Sequence, residues 1–364
     1  MSDVVLFEER SAAGGKKVGV AMINSEKSLN SLSLDIVELL YPKLQAWQAD
    51  EDIMCVFLHA AGEKAFCAGG DVVALHAGSA AYGEDLPNNS CAEFFELEDR
   101  LDRLIHTFGK PFVVWGTGFV MGGGLGLLGG ASHRVVTETT RMAMPEVTIG
   151  LYPDVGGSWF LSRTPGKTGL FLGLSGAQIN GADAQYIDWA DFFITQELKE
   201  EVMTALTEVK CGNGVAGVMQ HFSALAAPMK PVGNLEAHID WINDVCAGDD
   251  LAAVVANITA YEGDDKWCAK AARTLSSGCP ISPYLVWEQL RRAKGLSLEG
   301  VFQMEFDMSV NCAKAGHFKE GVRALLIDKD RNPQWVPAKF EDVTSEQVDA
   351  IFVSAAEQNP LHDL

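Results

Sequence analysis

The sequence predicts a protein of the α/β class, followed by a mostly helical C-terminal region. Short β-rich runs alternate with segments of helical periodicity up to about residue 160, which is typical of sheets covered by helices. Beyond that point the periodicity is mostly helical. The 364 residues, 48% of them hydrophobic, are sufficient for a large core and leave room for two domains.

Each predicted element follows from one of these patterns. The β-rich runs are VGVAMI (18–23), MCVFLHA (54–60), PFVVWGTGFV (111–120) and HRVVTETTRMAM (133–144). The helical segments between them are LDIVELLYPKLQAW (34–47) and AEFFELEDRLDRLI (92–105).

The second part of the chain contains two informative stretches. SALAAPMKPVGNL (223–235) predicts a connection, and LSLEGVFQMEFDMSVNCAKAG (296–316) predicts one long amphipathic helix. Prolines and charges near the C-terminus predict an irregular tail. We therefore expect an α/β core over 1–225, a helical region over 226–340 and a tail over 341–364.

Charge and composition exclude several classes of function. A formal net charge of −21 repels phosphate backbones and anionic lipids, so we expect neither a nucleic acid nor a membrane partner. The acidic N-terminus lacks the basic and apolar regions of a signal peptide, and this predicts a cytoplasmic protein. The eight cysteines form no CxxC pair and the eight histidines no HExxH motif, which favours free thiols and predicts no metal site.

Two glycine-rich stretches resemble nucleotide-binding motifs. GLGLLG (124–129) matches the G-x-G-x-x-G pattern, but at least three predicted strands precede it, whereas a dinucleotide fingerprint normally follows the first strand of its domain. PGKT (165–168) resembles the end of a phosphate-binding loop, but Leu161 occupies the position of the required glycine. The first match is weak and the second is rejected.

Two other glycine stretches suggest a catalytic role. AFCAGGD (65–71) and MGGGLG (121–126) each join the end of a β-rich run to the start of a helix, where backbone N–H groups lack intrahelical partners. Two such ends facing one another would form an oxyanion hole. Tight turns or close packing would explain either stretch alone. Their occurrence together with Glu146 and Asp154, two carboxylates in an otherwise apolar or glycine-rich stretch, favours catalysis.

These residues carry a resemblance to a known family. KAFCAGGDV, PFVVWGTGFVMGGGLGL and MAMPEVTIGLYPDVGG resemble, in order and spacing, the signature blocks of the enoyl-CoA hydratase/isomerase (crotonase) superfamily. GHFKEGVRALLIDKDRNPQW (316–335) resembles the ending of its 3-hydroxyisobutyryl-CoA hydrolase branch, except that the GHDF of that branch is GHF here. The likeness covers about residues 5–340. It implies a ββα superhelix core, an acyl-CoA substrate, no cofactor beyond that CoA, and a homo-oligomer such as a trimer or hexamer.

The resemblance also assigns roles by position. It implies that the backbone N–H groups of Gly70 and Gly123 hold the thioester oxygen and that the Ala68 carbonyl contacts adenine. Lys27 is a candidate for binding CoA phosphates, although a solvated surface lysine is an equal alternative. Asp71 is predicted to cap the helix that follows it.

The carboxylates distinguish between reactions of this superfamily. Its hydratases use two glutamates, and the first of these positions is Gly126 here, which cannot transfer a proton. The second is Glu146, and Asp154 stands where hydratases commonly have glycine, which resembles the hydrolase branch. A thioester releases a thiolate, whose pKa of about 8.5 makes a strong general acid unnecessary. Glu146 is therefore predicted to be the nucleophile or general base, and Asp154 to orient water or transfer its proton.

A third carboxylate follows from helical geometry. On a helical wheel, Glu98 falls within an apolar stripe between Phe94 and Ile105, and a buried carboxylate there requires a donor. The resemblance implies that Glu98 contacts substrate, so we predict that it binds the 3-hydroxyl of the acyl group. An internal ion pair is the structural alternative. For Glu146 and Asp154 the alternative is turn capping or pairing with an arginine, namely Arg134, Arg141 or Arg163.

The leading hypothesis is therefore hydrolysis of 3-hydroxyisobutyryl-CoA, as in valine breakdown. A hydratase or isomerase of the same fold is the nearest alternative, and a non-catalytic acyl-CoA-binding or assembly protein is an alternative of another class. Residues 78–92 carry no family signature, and no role is predicted for them.

Overall fold

The computed structural model describes residues 3–80 and 90–364. Its strands are β1 Val5–Ser11, β2 Lys17–Ile23, β3 Ile53–Ala60, β4 Ala65–Cys67, β5 Phe112–Gly116, β6 Phe119–Met121, β7 His133–Val136, β8 Arg141–Ala143 and β9 Phe192–Phe193. The first nine helices are α1 Leu34–Ala49, α2 Val72–Ala80, α3 Ser90–His106, α4 Gly123–Gly129, α5 Gly157–Leu161, α6 Thr168–Ser175, α7 Gly181–Tyr186, α8 Lys199–Glu208 and α9 Val215–Ala226. The later helices are α10 Ile239–Val245, α11 Leu251–Thr259, α12 Lys266–Ser277, α13 Ser282–Ala293, α14 Leu298–Ala315, α15 His317–Val322 and α16 Ser345–Ile351.

The chain forms two compact units whose segments alternate along the sequence. The first unit consists of Met1–Gly70, Arg100–Met142 and Ile179–Ala237. The second consists of Asp71–Asp99, Ala143–Gln178 and His238–Leu364. These bounds differ from the predicted division at residues 225 and 340, because periodicity along the chain does not report which segments pack together.

The first unit contains a six-stranded sheet in the order β1-β2-β3-β5-β7-β9. β1 and β2 are antiparallel, and the other neighbours are parallel. All eight residues of β3 are buried, as expected for a central strand of a parallel sheet that is covered on both faces. Phe57 of β3, Trp115 of β5 and Met219 of α9 share one hydrophobic cluster, which anchors this sheet against its helices.

Two predicted β-rich runs are each divided between two sheets. Run 111–120 gives β5 in the large sheet and β6 in a second sheet of order β4-β6-β8, and run 133–144 likewise gives β7 and β8. The first run changes sheet at Gly118, which has φ +60° and approaches the backbone of Lys64 too closely for any Cβ. The second changes sheet at a turn in which the Thr140 hydroxyl donates to the Gly116 carbonyl.

The three long predicted helices are confirmed. α1 and α3 cover segments 34–47 and 92–105. α14 begins after Ser297, whose hydroxyl accepts the Gly300 N–H, and ends at Gly316 in the left-handed region with φ +86°.

The predictions for the connection and the tail need correction. α9 extends to Ala226, so the connection is shorter than 223–235. The tail prediction was wrong for α16, which begins with a capping box at Thr344 and buries Ile351. The Asn311 side chain on α14 donates to the carbonyls of Ile351 and Val353, so this part of the C-terminal segment is held on the helical region.

Two further features concern cysteines and membrane spans. All eight cysteines have free thiols, of which seven are buried and one, Cys211, is exposed. Among the described helices, none combines the length and apolar character needed to cross a bilayer.

Candidate active site

The two predicted oxyanion turns meet within the first unit. One turn follows β4 and the other follows β6, which are paired strands of the small sheet. A Cβ on Gly124 would lie 2.5 Å from the Cys67 carbonyl oxygen, and one on Gly69 would lie 3.5 Å from the Met121 carbonyl oxygen. Glycine at position 124 therefore allows the two backbones to approach each other, and Gly69 is favoured by its φ of +105°.

The local geometry leaves a donor at the turn that follows β6. Gly122 has φ 44° and ψ −119°, a conformation that requires glycine, and α4 begins at the next residue. Gly123 is thus the first residue of α4, and its N–H has no acceptor inside its own helix. Gly70 forms a bridge with Leu32, which donates to the Gly69 carbonyl at 2.8 Å. The role of Gly70 and Gly123 as oxyanion donors stays a prediction.

The residues predicted to contact CoA, Ala68 and Lys27, lie in or near the turn that follows β4. The Ala68 N–H donates to the Leu29 carbonyl at 3.1 Å, and Leu29 follows the 3₁₀ turn that contains Lys27. Lys27 is exposed. The CoA contacts predicted for Ala68 and Lys27 remain predictions. In the second unit, Asp71 accepts the Ala74 N–H at 3.1 Å, which confirms its role as a helix cap.

The second unit brings the three predicted carboxylates together. Glu146 opens a 3₁₀ turn directly after β8 and Pro145, and its side chain is buried. Glu98 on α3 is buried as well, as the helical wheel predicted. Asp154 is half-buried and precedes α5 by three residues. Electrostatic interactions link all three groups, and we call Glu98, Glu146 and Asp154 the acidic cluster.

Burial and mutual repulsion disturb the protonation of the acidic cluster. Burial raises the pKa of Glu98 well above its ordinary value, and the charge of Asp154 raises it further. The pKa of Glu146 is raised by burial, by Asp154 and by Glu98. Burial raises the pKa of Asp154 to about 7. At neutral pH the cluster therefore holds protons as well as negative charge, which suits a site that transfers protons.

One carboxyl oxygen of Glu146 is unusual in its hydrogen bonding. Its Oε2 atom is buried and has no hydrogen-bond partner among the residues that the structure describes. A buried acceptor without a donor is costly, and a catalytic role is one explanation for such an atom. This observation supports Glu146 as the reactive group of the cluster.

The arginines proposed as structural partners have other contacts. Arg134 binds Asp191 and Asp188, with its closest contact to Asp191 at 2.7 Å. The guanidinium of Arg163 lies 3.2 Å from the ring centre of Trp159, and that of Arg141 lies 5.8 Å from the ring centre of Phe119. These contacts do not support the ion-pair alternative for Glu146 and Asp154.

Glu305 on α14 is a further buried carboxylate, which the sequence analysis did not single out. It is 1% exposed and accepts the backbone N–H groups of Gly156 and Ser158, each at 2.7 Å. Val301 and Met308 flank it one turn away on the same buried face. The signal that marks Glu98, a carboxylate on an apolar helical stripe, is present in segment 296–316 as well and marks Glu305.

A second group of titratable side chains has a structural explanation. His238, Asp265 and Cys268 place their potential metal-binding atoms within 4.8 Å of one another. One Asp265 oxygen caps α12 by accepting the N–H groups of Trp267 and Cys268, and the other lies 3.5 Å from His238 Nε2. We assign these contacts to helix capping and an ion pair.

Comparison with known proteins places this geometry in a family. The model of the enoyl-CoA hydratase/isomerase family matches residues 18–352, so the chain belongs to that family. This confirms the resemblance recognised in its glycine and carboxylate motifs.

Curated relatives indicate the branch. The chain is 39% identical to the mitochondrial 3-hydroxyisobutyryl-CoA hydrolase of Xenopus tropicalis over 92% of this chain and 86% of the relative. It is 37% identical to that of Danio rerio over 98% and 91%, and 33% identical to that of Homo sapiens over 97% and 89%. The predicted hydrolase branch is thereby confirmed.

Solved structures confirm the fold. A carnitinyl-CoA dehydratase from Mycobacterium thermoresistibile aligns over 100% of both chains with a TM-score of 0.86 and 34% identity. An enoyl-CoA hydratase from Rhodobacter sphaeroides 2.4.1 aligns over 96% of this chain and 97% of its own with a TM-score of 0.82 and 32% identity. The predicted crotonase fold is therefore correct.

Proposed function

We propose that this protein hydrolyses the thioester of a short 3-hydroxyacyl-CoA, with 3-hydroxyisobutyryl-CoA as its substrate and 3-hydroxyisobutyrate and CoA as products. The observation that carries the proposal is the acidic cluster, with Glu98 and Glu146 buried, in a chain that has Gly126 at the position of the first hydratase glutamate. Curated relatives of the stated name, 33–39% identical over at least 92% of this chain, support it.

The first step of the proposed reaction is polarisation of the thioester. In this mechanism the N–H groups of Gly70 and Gly123 donate to the carbonyl oxygen and stabilise the negative charge that develops on it. Each such donor contributes on the order of 2.7–4 kcal/mol to transition-state stabilisation in other enzymes. Two backbone donors therefore supply a substantial part of the catalysis without any charged group.

The second step is the delivery of water to the acyl carbon. Either the Glu146 carboxylate attacks that carbon and water cleaves the resulting anhydride, or Glu146 deprotonates a water that attacks directly. In both routes a water oxygen enters the system, the C–S bond breaks and the thiolate of CoA leaves. Asp154, with its pKa near 7, holds or releases the proton that this exchange requires.

Glu98 provides selectivity in this proposal. Its carboxyl group forms a hydrogen bond with the 3-hydroxyl of the acyl group and so fixes the acyl carbon relative to Glu146. Leaving a buried polar group without its partner costs about 1–3 kcal/mol, enough to distinguish hydroxylated from plain acyl groups.

The proposal extends to the setting of the reaction. The activity would serve valine breakdown, as the resemblance implies. The cytoplasmic location and the trimer or hexamer remain proposals; the names of the curated relatives place those proteins in mitochondria. Fractionation with compartment markers, and light scattering coupled to size-exclusion chromatography, would test the two points.

A thiol-release assay across short acyl-CoAs tests the function directly. We expect CoA release from 3-hydroxyisobutyryl-CoA to exceed release from isobutyryl-CoA. A hydratase or isomerase is the second candidate, favoured by the names of two solved structures that are 34% and 32% identical to this chain. Loss of the enoyl absorbance of crotonyl-CoA without thiol release would establish that alternative and reject hydrolysis. Binding of CoA without turnover in either assay would favour the non-catalytic alternative.

A further inference from the structure

The Glu305 carboxylate holds the chain that follows Asp154. Its Oε2 accepts the Gly156 N–H and its Oε1 accepts the Ser158 N–H, each at 2.7 Å. These two amides lie on either side of the first residue of α5, and Gly156 is only two residues from Asp154. Both oxygens of one buried side chain are therefore used on the backbone next to a predicted catalytic residue.

The chain that precedes Asp154 is held in the same way. The Ser282 hydroxyl donates to the Leu151 carbonyl at 2.5 Å, and the Gln289 amide donates to the Pro153 carbonyl at 2.8 Å, both from α13. The Tyr152 hydroxyl donates to the Glu305 backbone carbonyl at 2.5 Å. Buried polar groups from α13 and α14 thus bind the segment 151–158 on both sides of Asp154.

The conformation of this segment explains why it needs support. Val155 has φ 53° and Gly156 has φ 82°, so two successive residues lie in the left-handed region. A β-branched residue is strongly disfavoured there, and such a conformation persists only where its surroundings enforce it. The Gly157 N–H donates to the Asp154 carbonyl at 2.6 Å, so the backbone of Asp154 is part of this strained turn.

Placing a carboxylate at position 305 costs free energy, because the group is buried and lies near another acid. Burial raises the pKa of Glu305 to about 8, and the charge of Asp154 raises it as well. Besides Glu305 and the other two members of the acidic cluster, Tyr152 and Cys312 are described titratable groups that interact electrostatically with Asp154. A glutamine would avoid the repulsion but could accept only one of the two N–H groups, since its amide nitrogen is a donor.

We propose that Glu305 is a positioning residue for Asp154, which fixes the direction of the Asp154 carboxylate by binding the Gly156 and Ser158 amides. The proposal rests on the proposed function, because it takes Asp154 to be part of the catalytic machinery. Glu305 itself acts through the backbone and contacts no reacting atom in this mechanism.

The test compares two buried positions on the same helix. Glu305→Gln removes one of the two acceptors, whereas Asn311→Ala removes buried hydrogen bonds to Ile351 and Val353 and leaves the Asp154 segment untouched. We expect Glu305→Gln to lower kcat by about 10–100-fold with KM within about threefold of wild type. A displaced Asp154 carboxylate would stabilise the transition state less, whereas substrate binding would change little. Asn311→Ala should lower the melting temperature and leave kcat within about threefold.

Hydrogen exchange supplies a readout that does not depend on activity. In Glu305→Gln, amides of residues 154–161 should exchange faster than in wild type and in Asn311→Ala at the same temperature. If the wild type only hydrates enoyl-CoA, the proposed function fails, and the loss in kcat is measured on that hydration. If Glu305→Gln does not fold, Tyr152→Phe removes the bond to the Glu305 carbonyl and should give a smaller loss in kcat with KM retained.

Three results would overturn the proposal. The first is a kcat for Glu305→Gln, or for Tyr152→Phe where that variant replaces it, within twofold of wild type. The second is an equal loss of kcat in Asn311→Ala. The third is unchanged exchange over residues 154–161.

Discussion

The charge of Asp154 raises the pKa of Glu146, eight residues earlier in the chain. The two side chains belong to different local structures, a 3₁₀ turn and the strained segment before α5, which converge within one unit. Two interacting carboxyl groups release their protons in separate steps, so one can act as a base while the other still holds a proton. This relationship provides the acid and the base that the proposed hydrolysis requires.

Replacing Glu146 by glutamine tests the reactive group. The amide keeps the size of the side chain but can neither attack an acyl carbon nor accept a proton from water. We expect kcat to fall by at least about 100-fold, with the affinity for CoA largely retained, because the lost interaction belongs to the transition state. Thiol release and CoA titration measure the two quantities. Retained turnover in a folded variant would remove Glu146 from the mechanism.

The stability of the protein should depend on pH through Asp154. Its pKa is about 7 in the fold and 3.8 ordinarily, so the folded state retains a proton that the unfolded chain releases. The contribution of Asp154 to the free energy of unfolding should therefore fall as pH rises from about 4 to about 7. Asp154→Asn cannot ionise, so it should be more stable than wild type at pH 8 while losing activity.

Denaturant titrations at pH 4.5 and pH 8 check this prediction. The stability advantage of Asp154→Asn should shrink toward the lower pH. Asp264→Asn, at an exposed position, serves as the control and should follow the wild-type curve. An advantage of the same size at both pH values would contradict the prediction.

Glu98 should determine selectivity for the 3-hydroxyl group. Glu98→Gln should lower kcat/KM for 3-hydroxyisobutyryl-CoA by about 10–100-fold, because the amide nitrogen replaces an oxygen that can pair with the hydroxyl, and should change kcat/KM for isobutyryl-CoA little. Glu93→Gln, exposed on the same helix, is the matched control. Equal losses on both substrates would show that Glu98 does not recognise the hydroxyl.

Gly124 should be needed to keep the two glycine turns in contact. An added Cβ would lie 2.5 Å from the Cys67 carbonyl, so Gly124→Ala must push the turns apart. We expect a loss of about 1–3 kcal/mol in the free energy of unfolding, together with a loss of activity. Gly217→Ala on α9 meets nothing within 4 Å and should be neutral or stabilising. Thermal melting and thiol release of both variants test this prediction. A fully active Gly124→Ala would refute the proposed need for contact between the turns.

Sequence patterns predicted the elements better than their assembly. The alternation of β-rich and helical runs was sufficient for β2, β3, α1 and α3. It could not show that runs 111–120 and 133–144 each change sheet, because hydrophobic periodicity reports which residues are buried and not which strand pairs with which. The C-terminal helix α16 was not predicted, because the prolines and charges around it indicate irregular structure and its capping box at Thr344 is the one contrary signal.

The candidate site shows the same contrast. Glu98 was found because a carboxylate interrupts an apolar stripe, and the same test would have found Glu305. The left-handed conformation of Val155 has no signal in sequence, since valine is among the residues least suited to it. Such strain arises from tertiary contacts, here those made by Glu305, Gln289 and Ser282.

The position of Cys211 affects how the proposed reaction is to be measured. Disulfide reagents that report released CoA also react with accessible cysteines of the enzyme, and this chain exposes one thiol while seven others are buried. In such an assay, we therefore expect a rapid background reaction that consumes one equivalent of reagent per protein chain. Cys211→Ser would remove that background, and the same side chain offers a single attachment point for a fluorescent label.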